Sequence, residues 1–134
     1  MPALFCSGDA MRGGRLHHNV EKHPFLGAVR TAPSYRLFSV RDAFPALLLT
    51  DRGDGASVAG ELYDVSLESV RTEFLPDEPP ELELTVIELD DGRSVLAVGL
   101  RPGVLEGAPA GELTEITAHG GWRAYRGLPD PDDA

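Results

Sequence analysis

At 134 residues with a formal net charge of −10, the chain is long enough for one domain with a real core and too short for two ordinary ones. The acidic excess repels phosphate backbones, which excludes nucleic acid and anionic membrane surfaces as partners. A single cysteine, Cys6, permits neither an intrachain disulfide nor a thiolate metal cluster, and with no apolar run near the roughly 20 residues of a bilayer span and nothing resembling a signal peptide, a cytoplasmic location is expected.

In chain order, Ala3–Cys6 is a short apolar run ending at Ser7-Gly8, which suits a buried strand stopped by a turn. Asp9 to Lys22 is polar and carries Gly13-Gly14, so a loop with at most one helical turn is expected there. Such a Gly-containing loop bends backbone N–H groups toward one spot, where a small anionic or amide ligand can sit. Phe25–Thr31 and Tyr35–Val40 alternate as strands around an Ala32-Pro33-Ser34 turn. Pro45 begins a further strand through Thr50, and Asp51 to Gly55 (DRGDG) reads as a hairpin loop leading into a strand over Ala56–Asp64. Leu67, Val70 and Phe74 recur at helical spacing behind a Ser66 cap, and Pro76 stops that helix. Leu82–Leu89 alternates, Asp90–Gly92 turns the chain and Ser94–Leu100 answers it, the clearest hairpin in the sequence. Pro102 to Gly111 is read as loop, Leu113–Ala118 as a last strand or a helical turn, and Trp122 and Tyr125 as packing the C-terminus back on the body. About seven or eight strands with one or two helices predict an α+β domain whose small mixed sheet curls into a barrel. The domain is expected over residues 1–127, with a flexible acidic tail over 128–134.

Four segments, LFCSGDAMRGG, FLGAVRTAPSYRL, FPALL and GELYDV, resemble in order and spacing the gamma-glutamylcyclotransferase-like superfamily (AIG2-like). TAPSYRLFSV, PPELELTVIELDDGRSV and the closing ITAHGGWRAY resemble more specifically free-standing relatives of the allophanate hydrolase C-terminal domain. The resemblance implies a pocket between the first loop and the segment after the helix, taking a small polar carboxylate, amide or carbamate ligand. Ser7, Gly8, Asp9, Ala10 and Met11 match the family's opening motif, with Ser7 where it usually has Tyr and Ala10 where it has Leu. Phe5 or Tyr35 would have to supply the missing ring wall. The family's catalytic Glu, a general acid/base, falls by position on Asp77 or Glu78. Glu78 is the first candidate, with Asp77 or Glu81 as alternatives, since four acids lie in LPDEPPELE. The allophanate hydrolase branch implicates a His at the position of Ala10, so His17 or His18 would have to act from further on. Partial burial of Glu78 in a barrel mouth would raise its pKa toward neutrality.

Arg12, Arg15 and Arg30 could hold a carboxylate at the loop. No His-x-x-x-His spacing appears, so no metal is expected, and no cofactor is implied. Cys6 reads as a buried structural thiol, and Tyr63 as core or pocket wall. The residues leave two functions open: a carboxylate-dependent enzyme, or a non-catalytic ligand-binding or partner domain that keeps the barrel. The oligomeric state is not written in the sequence.

Overall fold

In a computed structural model, which describes residues 2–132, the first apolar run forms strand β1 (Ala3–Cys6) with Leu4, Phe5 and Cys6 buried. It runs antiparallel to β5 (Ala59–Asp64) and parallel to β7 (Ser94–Leu100). A strand flanked on both edges and covered on both faces reads as an unbroken apolar run, which is how this one appears in the sequence. β2 (Phe25–Arg30) pairs with the far side of β5. β3 (Tyr35–Val40) and β4 (Phe44–Leu49) form a hairpin whose turn places Arg41 and Asp42 in the left-handed region, at φ 53 and 54. Ser39 Oγ accepts from Asp42 N and so supports that turn. β6 (Leu82–Glu88) and β7 are the hairpin expected from their alternation.

The sheet order is β2-β5-β1-β7-β4-β3-β8, with β8 (Leu113–Glu115) on β3 and β6 on β7. β6 pairs with β7 along its length, so β1, meeting β7 at Leu96, and β4, meeting it at Gly99, share the opposite edge. The two must part there, and the fork they leave is the setting of the site. At its other end the sheet curls until Thr31 bridges Leu89 and Ala32 N donates to Glu88 O, bringing the end of β2 to the end of β6. The expected α+β, barrel-like mixed sheet is therefore present, with eight strands. Val20, Leu37, Val58, Leu62 and Tyr63 lie in its core.

Several elements differ from the expectation. DRGDG is not a hairpin loop, because β4 has β3 on one edge and β7 on the other and offers no place to β5. Ala56 only bridges Tyr35, and β5 starts at Ala59 beside β1. The helix is one α turn, α1 (Leu67–Ser69), capped by Ser66 Oγ at 3.1 Å from Ser69 N, followed by a π turn (Val70–Phe74) and a 3-10 turn (Leu75–Asp77). Val70 and Phe74 are buried, whereas Leu67 is 61% exposed and is no core residue. Pro76, lacking an N–H, lies inside the last turn and ends the helical path. The Pro102 to Gly111 loop contains one helical turn, α2 (Val104–Gly107), and Leu113–Ala118 divides into β8 and a 3-10 turn (Thr117–His119). α3 (Trp122–Arg126) buries Trp122 against the sheet. Among the described residues no helix is long and apolar enough to cross a membrane. Asp133 and Ala134 of the expected tail, and Met1 of the expected domain, lie outside the described residues.

Candidate functional site

At the fork, β1 hands over to Ser7 and Gly8 beside the start of β4. A Cβ on Gly8 would stand 2.7 Å from Pro45 Cδ, so only glycine lets the loop lie on that ring. The loop is held by its own backbone: Met11 N donates to Gly8 O, Gly14 N to Met11 O and Leu16 N to Asp9 O. Gly14 is equally constrained, since a Cβ would come within 2.1 Å of Asp9 O. His17 donates from Nδ1 to Ala10 O at 2.9 Å. These contacts occupy the loop's carbonyls, while among the described residues the N–H groups of Gly8, Asp9 and Ala10 have no protein acceptor. They remain as donors for a ligand oxygen.

The facing wall comes from the helical segment. Its 3-10 turn ends at Asp77, and Glu78 then continues in extended geometry with its N–H on Leu75 O. Buried Asn19 donates from Nδ2 to Asp77 Oδ2 at 2.9 Å, tying this wall to the polar segment that follows the loop. Asp77 and Glu78 line one cleft with Cys6, Ser7, Gly8, Asp9 and Ala10, of which Phe44, Pro45, Leu82 and Val98 make the apolar part. Burial pushes the Glu78 carboxyl up to about 7, and the nearby charges of Asp77 and Asp9 push the same way. Among the described residues no cation stands within ion-pair distance of it. Glu78 can therefore both give and take a proton near neutral pH. The cleft is narrow, about 70 Å³, which admits a group of a few heavy atoms.

The remaining candidates are placed elsewhere. Glu81 is taken by Arg41 at 2.7 Å, which holds its carboxyl below the usual range, and it does not line the cleft. Met11 is buried in the core. His17 braces the loop through Ala10 rather than lining the cleft, and His18 is exposed. Tyr35 accepts from Glu88 N through its hydroxyl at 2.9 Å, away from the fork. Phe5 packs where a side chain on Gly60 would collide with its ring. The ring at the cleft belongs instead to Phe44, whose only sequence signal is an aromatic residue just before the strand-opening Pro45. Of the three arginines only Arg15 lines the cleft, 3.3 Å from Asp9. The Cys6 thiol lies at the cleft but burial pushes its pKa up strongly, which keeps it protonated.

Sequence reasoning missed Glu61, the acid of GELY. It is fully buried and accepts from Arg12 N at 2.8 Å, Arg12 Nε at 2.9 Å, Tyr63 OH at 2.9 Å and Arg123 Nη2 at 3.0 Å. Burial pushes its carboxyl up, but the donors together outweigh that and hold it below its ordinary value. Arg12 also reaches Asp132 at 2.9 and 3.1 Å. Thus the loop is pinned from beneath by a charge network whose own residues do not line the cleft.

The allophanate hydrolase C-terminal domain family matches the chain over residues 2–127. Among solved structures, c4763, a uropathogenic Escherichia coli-specific protein, is 34% identical, with a TM-score of 0.85 over 96% of this chain and 98% of that one. Kluyveromyces lactis allophanate hydrolase is similar at 23% identity and a TM-score of 0.82, over 93% of this chain but only 21% of the enzyme. A mouse AIG2-like protein shares the fold at 23% identity and a TM-score of 0.58, over 100% of this chain and 98% of its own. No curated protein matches the chain.

Proposed function

This chain belongs to the allophanate hydrolase C-terminal domain family, and from that premise we propose that its fork cleft binds the carboxylate, amide or carbamate group of a small polar molecule and exchanges a proton with it through Glu78. The observation that carries this reading is Glu78 itself, with its pKa raised to about 7, on the same cleft as the Ser7–Ala10 loop and its unused N–H donors. A ligand oxygen accepts from Gly8 N and Asp9 N, where fixed dipoles stabilise developing negative charge. Glu78, with Asp77 beside it raising its proton affinity, gives or takes the proton at the ligand nitrogen. Arg15, on the rim and only loosely paired with Asp9, is placed to meet a second acidic group on the ligand.

Allophanate and simple carbamates are the first ligands to test, because a full allophanate hydrolase carries a domain of this fold; gamma-glutamyl amines and pyroglutamate follow. A ligand at about 100 times its Kd stabilises the fold by about 2.7 kcal/mol, well within reach of a melting measurement. The expected result is a melting shift with one of these compounds and, if turnover is found, a loss of about 100-fold or more in Glu78→Gln. Undiminished turnover in that variant removes the role of Glu78. A second reading, a binding domain without turnover, is favoured by Ala10, whose buried methyl stands where the branch has its implicated His. It predicts the melting shift in both proteins and turnover in neither.

A further inference from the structure

A second cavity, of about 650 Å³, opens between the β2–β5 edge, α3 and the segment 128–130. It shares no lining residue with the fork cleft, and its volume lies within the range of small-molecule sites, roughly 300–1,000 Å³. Its apolar lining is Val29, Leu128, Pro129 and the nearly buried Trp122. Its polar lining includes Arg30, whose guanidinium lies against Gly120, where a side-chain Cβ would come within 3.5 Å of Nη2. Ser57 fixes that guanidinium by accepting from Nε through Oγ at 3.2 Å and from Nη2 through its carbonyl at 2.9 Å. Both acceptors are neutral, and among the described residues no carboxylate pairs with Arg30. In a chain with 22 acids and 12 basic residues, this exposed guanidinium, held by neutral acceptors at the wall of a cavity, is free to take an anion.

We propose that this cavity is a second ligand site, taking a small organic monoanion with an apolar body against Trp122 and a carboxylate on Arg30. Nη1 and the free hydrogen of Nη2 form the fork that a carboxylate meets with two bonds. Arg123 and Asp130 also line the cavity; Arg123 is already paired with Glu61, and Asp130 repels a second negative charge on the ligand. That balance favours a monoanion over a dianion. The apolar body gains contact area from Val29, Leu128 and Pro129 beside Trp122, while the charged end supplies orientation.

Trp122 is the only tryptophan, so its emission reports on this cavity and not on the fork. Phenylacetate is expected to change that emission saturably, while phenylacetamide, the same body without the charge, binds at least about tenfold more weakly. Inorganic phosphate at equal ionic strength leaves it unchanged. Arg30→Gln brings phenylacetate down to the level of the amide, Arg30→Lys keeps part of the preference, and Glu78→Gln behaves as the parent. Equal binding of acid and amide, parental binding by Arg30→Gln, or no saturable change up to about 10 mM phenylacetate overturns the proposal. The acid-against-amide comparison is made on the parent protein and decides the matter even if Arg30→Gln does not fold.

Discussion

Two glutamates in this chain are buried to opposite effect, and the difference lies in their partners. Glu61 is met by four donors from three residues, two of them cationic, and stays ionised. Glu78 has burial and two neighbouring acids, and its carboxyl rises. Replacing Glu61 by Gln keeps the shape but removes the charge, leaving Arg123 without a carboxylate and Arg12 with Asp132 alone, beside an amide that turns a donor toward donors. Breaking a buried pair from one side costs about 3–5 kcal/mol, a large part of a typical stability of about 5–15 kcal/mol. Urea unfolding of Glu61→Gln should show a loss of that size, and a loss below about 1 kcal/mol would show that the network is not a main support of the loop. Because the Glu61 pKa is lowered, its support is present above the ordinary carboxylate range and lost as the pH falls through the lowered value. A carboxylate at Asp77 or Glu78 was expected beforehand from the resemblance, which counts onward from GELYDV, and both line the cleft. Glu61 was not, since a Glu in an apolar strand shows no local sign of the arginines, 49 residues before and 62 after, that come to meet it.

At the scale of elements, what could be read was what neighbours in sequence decide. The β6–β7 hairpin follows from alternation around Asp90–Gly92, and the register Leu82↔Leu100 through Glu88↔Ser94 realises it without a slip. The place of β5 was not readable, because it depends on which edges remain free once β3 and β7 have flanked β4. The joint that closes the curl is likewise long-range. Thr31 is buried, donates its main-chain N–H to Val58 O at 2.9 Å, and accepts from Val58 N through Oγ1 at 3.0 Å while it bridges Leu89. Thr31→Val keeps the shape and strands the Val58 N–H without an acceptor, which costs about 1–3 kcal/mol. Thr31→Ser keeps the hydroxyl and loses a methyl, costing about 1 kcal/mol. Denaturant midpoints should therefore order parent, Ser, Val. The reverse order of the two variants would mean that methyl packing, and not the hydrogen bond, holds β2 to the rest.

For the whole molecule, the charges combine into a stability profile with two opposed limbs. Carboxyls such as Glu73, Glu115 and Asp42 are held below their usual values by hydrogen bonds and nearby cations, so protonating them in acid removes support. Glu78 runs the other way. Its folded value of about 7 lies above the ordinary 4.5, so between those values the native state binds more protons than the unfolded chain, and stability falls as the pH rises. The shift corresponds to a loss of about 3 kcal/mol, nearly complete by about pH 8. The melting temperature of the parent should peak between about pH 5 and pH 6 and decline toward pH 8. Glu78→Gln should be flat over the neutral range and the more stable protein at pH 8, the relation between stability and activity that the proposed role of Glu78 entails. Self-repulsion from a net charge of −10 also weakens the compact state, but that effect is screened at a Debye length of about 3 Å in 1 M salt. A partly buried carboxyl is screened far less, so the difference between parent and variant should survive added salt. Parallel profiles in high salt would mean that Glu78 titrates as an ordinary surface acid, and the proton-transfer role would fall with it.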